Sequence, residues 1–171
     1  TLFAEDEYYR CLLFEDNYGL EVSLKKSFSK KLSLNFIPQF GTEIIRVDEP
    51  YQARNTSFGF ELSLRPTNEI KFSFKLNQSR SIKFDTGDEV YSDFVARSRF
   101  EYQATNALNF RLVVQYHDYY KTFDLQPLIS YQPGPFSIFY IGTSRSYLIT
   151  GSDWEQSYGQ IYLKVQKLFS L

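Results

Sequence analysis

Apolar and polar side chains alternate along most of this chain. From Ile70, the side chains of Ile70, Phe72, Phe74 and Leu76 share one face, and Lys71, Ser73, Lys75 and Asn77 share the other. A β-strand points successive side chains to opposite sides, whereas a helix would scatter these residues around its circumference. The same period recurs in Leu20, Val22 and Leu24, then in Leu32, Leu34, Phe36 and Phe40, and again in Phe58, Phe60, Leu62 and Leu64. It returns in Phe94, Ala96, Phe100 and Tyr102, in Leu108, Phe110, Leu112 and Val114, and in Ile161, Leu163, Val165, Phe169 and Leu171. Weaker strands are predicted around Leu12, Ile129 and Ile138. The pattern predicts about ten strands, each near the ~9–11 residues that a tilted strand needs to cross a bilayer. No stretch reads as a helix, and no linker marks a domain boundary.

The connections are predicted to alternate in length. Short ones fall at Ser29, Arg65, Gln103 and Gln132, with the Pro, Gly, Asn and Ser of tight turns. Long polar ones start at Thr42, Arg80, His117 and Ser146. Trimmed turns on one rim and elaborated loops on the other are the habit of bacterial outer-membrane barrels.

Alternation does not say which face points inward. A soluble sheet protein buries its apolar face, and a membrane barrel turns it outward. Composition bears on this choice. Aromatic residues make up 19% of the chain, with 17 Phe and 14 Tyr. A closed barrel of about ten strands has little room inside for so many rings, because its diameter grows only linearly with strand number. Tyr102, Tyr116, Tyr119, Tyr120, Tyr131, Tyr147 and Tyr158 lie near predicted strand ends, where amphipathic rings suit the headgroup level. The expected fold is therefore an all-β, antiparallel, up-and-down transmembrane β-barrel of about ten strands, or the C-terminal part of a larger barrel. It would occupy residues 1–171 as a single domain, complete or as the C-terminal fragment of a longer protein. The alternative is a soluble β-barrel or sandwich that binds an apolar or sugar ligand in its interior.

Charge and reactive residues narrow the chemistry. Nineteen Lys and Arg face 20 Asp and Glu, for a net charge of −1, which argues against nucleic-acid binding through bulk positive charge. A single cysteine, Cys11, excludes a disulfide framework and is expected to face lipid or pack. The polar-face charges Glu61, Arg65, Lys71, Lys75, Arg97, Arg99, Glu101, Arg111 and Lys164 would line a lumen. Opposite signs should neighbour each other there, since an unpaired confined charge is costly. A sharper possibility is an anion-favouring wall of Arg97, Arg99 and Arg111. His117 beside Asp118 supplies one component of an acid–base site. No second histidine and no serine nucleophile motif accompany it, so the chain is expected not to be an enzyme. The acidic stretches from Val47 and Asp85 lack a full calcium-loop pattern. Tyr51, Tyr119, Tyr120, Tyr147 and Trp154 suit either an interfacial girdle or stacking on sugar rings. No cofactor or metal is expected.

Two resemblances add to this reading. The closing KVQKLFSL, with Phe169 and Leu171 on one face, resembles the terminal strand signal by which outer-membrane barrels are recognised for insertion; Gln166 stands where that signal usually has glycine. From Glu89 onward, RSRFEYQATNALNFRLVVQY, then PLISYQPGPFSIFYIG and the closing strand, resemble the C-terminal barrel of bacterial surface proteins of unassigned function. Members of that family often carry a carbohydrate-binding, family-9-like β-domain before the barrel. The resemblance implies residence in the bacterial outer membrane, contact with its lipid and with the barrel-insertion machinery, and protein partners in a surface assembly. It implies no catalytic residues.

Overall fold

The computed structural model describes residues 2–10 and 12–167. These residues form eleven strands and no helix: β1 (Leu2–Tyr9), β2 (Leu12–Glu21), β3 (Leu24–Ser29), β4 (Leu32–Ile45), β5 (Tyr51–Leu64), β6 (Ile70–Lys83), β7 (Glu89–Gln103), β8 (Leu108–His117), β9 (Thr122–Gly134), β10 (Ser137–Thr150) and β11 (Asp153–Lys167). Every neighbouring pair is antiparallel, and the strands follow one another across a single up-and-down sheet. Among the described residues β1 and β11 share no ladder, so the sheet has two edges.

Strands β2 and β3 are one strand with a gap. Glu21 faces Gln39 and Leu24 faces Phe36, so both pieces hold the same register on β4. Between them Val22 donates its amide to the Pro38 carbonyl at 3.1 Å. The return bond is missing because proline has no N–H, and the ladder lapses for two residues. Counted as continuous strands, the sheet has ten members, in agreement with the period-two reading, though not from the same parts. Leu12 and Leu20 belong to the same strand β2, and Leu2–Tyr9 forms a strand that the alternation did not reveal.

The expected rhythm of short and long connections is not found. Between strands the chain uses residues 46–50, 84–88, 118–121 and 151–152 on one rim, and residues 30–31, 65–69, 104–107 and 135–136 on the other. The segments after Thr42, Arg80 and Ser146 are mostly paired strand: Glu43 faces Ala53, Ser81 faces Tyr91, and Leu148 faces Glu155. They read as loops because the alternation lapses, with Ile44 beside Ile45 and Leu148 beside Ile149, not because the ladder ends. Most strands are thus 13–15 residues long, beyond the expected bilayer length.

The two faces of the sheet differ in curvature. Tyr91 on β7 reaches Glu43 on β4, three strands away, with its hydroxyl 3.3 Å from Glu43 Oε2. Strands lie about 4.8 Å apart, so two side chains meet over that span only on the inside of a bend. Ala53, Ser81 and Val113, among the few fully buried residues, are on this same face. Ring pairs of the other face reach less far: Phe60–Phe74 at 6.4 Å and Phe94–Tyr116 at 5.4 Å join neighbouring strands, and Phe123–Trp154 at 5.3 Å crosses one strand. The polar set is therefore concave and the apolar set convex.

Candidate functional site

The convex face carries a largely apolar band, with Ser98 and Arg145 among its members. Register places Phe36, Phe60, Leu76 and Ala96 in one row, and Leu64, Phe72, Phe100 and Leu112 in another. These side chains are open to the surroundings: Phe40 is 49% exposed, Ile141 51%, and Leu163 on the edge strand 73%. No second layer covers them among the described residues.

Aromatic rings border this band on both sides. Along one border Phe94, Tyr116, Phe123, Tyr147 and Trp154 follow each other from β7 to β11, with Phe123 and Trp154 centroids 5.3 Å apart and Tyr147 6.4 Å from Trp154. Along the other, Tyr102 lies 6.4 Å from Phe110, and Tyr131 lies 6.4 Å from Phe139. Phe94 to Tyr102, Phe123 to Tyr131 and Phe139 to Tyr147 are each a step of eight residues. That is about 27 Å of extended strand. Beyond the first border the convex face turns polar, with Thr42, Arg54, Thr56, Arg80 and Ser92. Of the tyrosines expected at strand ends, Tyr158 instead falls on the concave face, opposite Ser146, and Tyr119 and Tyr120 stand in the exposed turn after β8.

The concave face carries the charges. One row runs from Lys25 through Asn35, Glu61, Lys75, Arg97 and Gln115 to Asp124, one residue per strand. Lys75 is ion-paired with Glu61, and Arg97 donates to Gln115 Oε1 at 3.4 Å. In the rows below, Arg99 pairs with Glu101, and Lys71 and Arg111 flank Glu101 from either side. Lys164 lies with its ammonium 6.0 Å from the Tyr140 ring. Eight of the nine predicted lining residues thus share this face. Arg65 does not: it sits in the turn after β5, where its amide bonds to the Lys31 carbonyl. The three arginines do not form a uniform wall, because Glu101 neutralises Arg99 and lies opposite Arg111. Phe169, Leu171 and Cys11 lie outside the described residues.

Nearer the other rim the concave face is neutral to acidic. A trough of about 560 Å³ opens between β2 and β7, and a second cavity of about 310 Å³ adjoins it through Gln39, Ser57 and Ser79. Asn55 donates to Ser79 Oγ, Ser81 Oγ and the Tyr91 hydroxyl, each at 3.2 Å, and Ser81 donates to Glu43. No lysine or arginine lines either cavity among the described residues. The sequence hid this cluster because it lies in segments assigned to loops; the polar residues Asn77, Ser79 and Ser81 at every second position were its one legible trace.

His117 meets a different acid from the one beside it in sequence. Register sets Val95 opposite His117, which brings His117 Nδ1 to 3.4 Å from Asp93 Oδ1, close but without hydrogen-bond alignment. Asp118 is engaged elsewhere. The Lys121 ammonium at 2.7 Å and the Tyr116 hydroxyl at 3.0 Å hold its carboxyl below the usual aspartate range. Among the described residues no group of three His, Cys, Asp or Glu side chains is placed to hold a metal ion.

No family model and no curated protein matches this chain.

Proposed function

We propose that this chain is the wall of a bacterial outer-membrane β-barrel, a passive surface component whose concave face lines a wet interior. The observation that carries this reading is the pair of aromatic borders eight residues apart, enclosing an exposed apolar band on the convex side; the ~40° strand tilt of a membrane barrel would turn that step into about 21 Å of height. Hydrocarbon is the environment that suits such a band, and headgroups suit its bordering Tyr and Trp. A soluble sandwich would lay a second sheet over these rings. On this reading β1 and β11 complete the wall, either with each other or with further strands, since an open edge in a bilayer leaves backbone groups unsatisfied.

The concave face favours a structural over a discriminating interior. Glu61–Lys75 and Arg99–Glu101 knit neighbouring charges of opposite sign, so the lining offers no ring of one sign to select solutes. Insertion machinery, outer-membrane lipid and other chains of a surface assembly are the partners that follow, in keeping with the family resemblance.

The test is refolding. Dissolved in denaturant and diluted into detergent micelles, the chain is expected to regain strand circular dichroism and to migrate faster on gels when unheated than when boiled. A chain that stays soluble and monomeric without detergent would contradict the proposal.

A further inference from the structure

The convex band contains one charged residue that its surroundings do not explain. Arg145 on β10 shares the apolar face, between Leu125 on β9 and Gly159 on β11. It lies one step inside the Tyr147 border, and it is exposed. Among the described residues it has no ion pair and no hydrogen bond. Gly159 gives it no side chain to pack on from that strand.

A groove leads away from it. About 460 Å³ of open space runs over β8 to β11, floored by Pro127 and Thr143 and walled by Leu112, Ile141 and Ile161, with Arg145 at its end. The small floor residues make the depression, because larger side chains on every adjoining strand rise above them. The groove presents almost no polar surface: Arg145 lines it with its aliphatic stem, and the guanidinium stands outside it. The Thr143 hydroxyl is already spent on the Gln160 carbonyl at 2.8 Å.

An apolar channel with an exposed, unpaired guanidinium just beyond it fits an amphiphile with an acyl chain and an anionic oxygen head. Guanidinium binds phosphate oxygens through two parallel hydrogen bonds, strongest where water is scarce. We infer that this groove is a binding site for an anionic glycerophospholipid, with one acyl chain along Pro127 and Thr143 and the phosphate against Arg145. The inference rests on the membrane reading above. Charge complementarity fixes the occupant: a zwitterionic lipid brings its own cation to the phosphate, and a protein segment would need an acidic residue inside an otherwise apolar stretch.

The experiment uses the refolded full chain in bilayer nanodiscs of equimolar phosphatidylglycerol and phosphatidylcholine, released into mild detergent and weighed intact by native mass spectrometry. Flotation with vesicles of the same mixture is measured in parallel. The chain should keep phosphatidylglycerol over phosphatidylcholine by about tenfold, the worth of one charge-assisted hydrogen-bonded contact. Arg145→Gln should bring the two lipids to parity, and Arg145→Lys should retain part of the preference. Thr143→Leu, which fills the floor, should cut retention of phosphatidylglycerol with Arg145 in place, and it serves as the variant if Arg145→Gln does not refold. Equal retention by the native chain, or an undiminished preference in Arg145→Gln, overturns the groove while leaving the wall intact. Failure to float with vesicles overturns the membrane reading and the groove together.

Discussion

The Tyr91 hydroxyl and the Glu43 carboxylate meet at 3.3 Å across the concave face, although β5 and β6 lie between their strands. Asn55 and Ser81 complete the bridge, so four strands are tied at one level by side chains alone. Tyr91→Phe removes the hydroxyl that donates to Glu43 and accepts from Asn55. The variant is expected to lose about 1 kcal/mol of stability, the usual worth of such a bond. Denaturant unfolding in micelles checks this. An unchanged midpoint would mean that the bend does not depend on the bridge.

Pro38 costs the sheet one hydrogen bond. Pro38→Val supplies the N–H that the Val22 carbonyl lacks, and valine suits a half-buried strand position. The expected result is a gain of about 0.5–1.5 kcal/mol and slower amide exchange at Leu24 and Phe36, as β2 and β3 fuse. Exchange rates at Val22 to Leu24 measure it directly.

Gly142 and Tyr162 face each other on the concave side of β10 and β11. A Cβ on Gly142 would fall 2.6 Å from the Tyr162 hydroxyl oxygen and 3.0 Å from Leu128 Cδ1. Tyr162 is the one half-buried residue among the described positions of β11, so its ring over Gly142 adds a side-chain contact to the ladder that holds that edge. Gly142→Leu is expected to displace the ring and speed amide exchange along β11, with β4 to β7 unaffected. Uniform loosening of the whole sheet would contradict the local role.

The turn after β8 is expected to be acid-sensitive. Lys121 and Tyr116 hold the Asp118 carboxyl below its ordinary value of 3.8. A depressed acid stabilises the fold above its unfolded value and loses that contribution as pH falls through the folded one. The turn should therefore stay ordered at neutral pH and loosen only as pH drops below that ordinary value. Asp118→Asn should abolish the dependence. Chemical shifts of Tyr119 to Lys121, followed by titration, decide it.

The phase of each strand could be read from sequence because period two is a backbone property and survives any tertiary context. Spacing alone puts Phe72, Phe100 and Leu112 each on the apolar face of its own strand, and register brings them into one row. Strand ends could not be read in the same way. Once the strands pass the aromatic border, Thr42, Arg54 and Arg80 replace apolar residues on the convex side, the alternation vanishes, and paired strand looks like loop. Contacts that depend on register were also invisible. His117 stands beside Asp118 in the chain, yet the β7–β8 pairing delivers Asp93 to it instead. Arg65 continued the polar period by number, but the turn had already begun. The Glu43–Tyr91 bridge needs both register and curvature, which no local pattern encodes.

The most direct test of an outward apolar face is a spin-label scan of β8 in reconstituted bilayers, one cysteine at a time from Leu108 to His117 with Cys11 replaced by serine. Accessibility to oxygen, which concentrates in hydrocarbon, should peak at positions 110, 112 and 114. Accessibility to a water-soluble nickel chelate should peak at 109, 111, 113 and 115. The opposite phase, or labels at 110, 112 and 114 that meet the nickel chelate as freely as their neighbours do, would contradict the account.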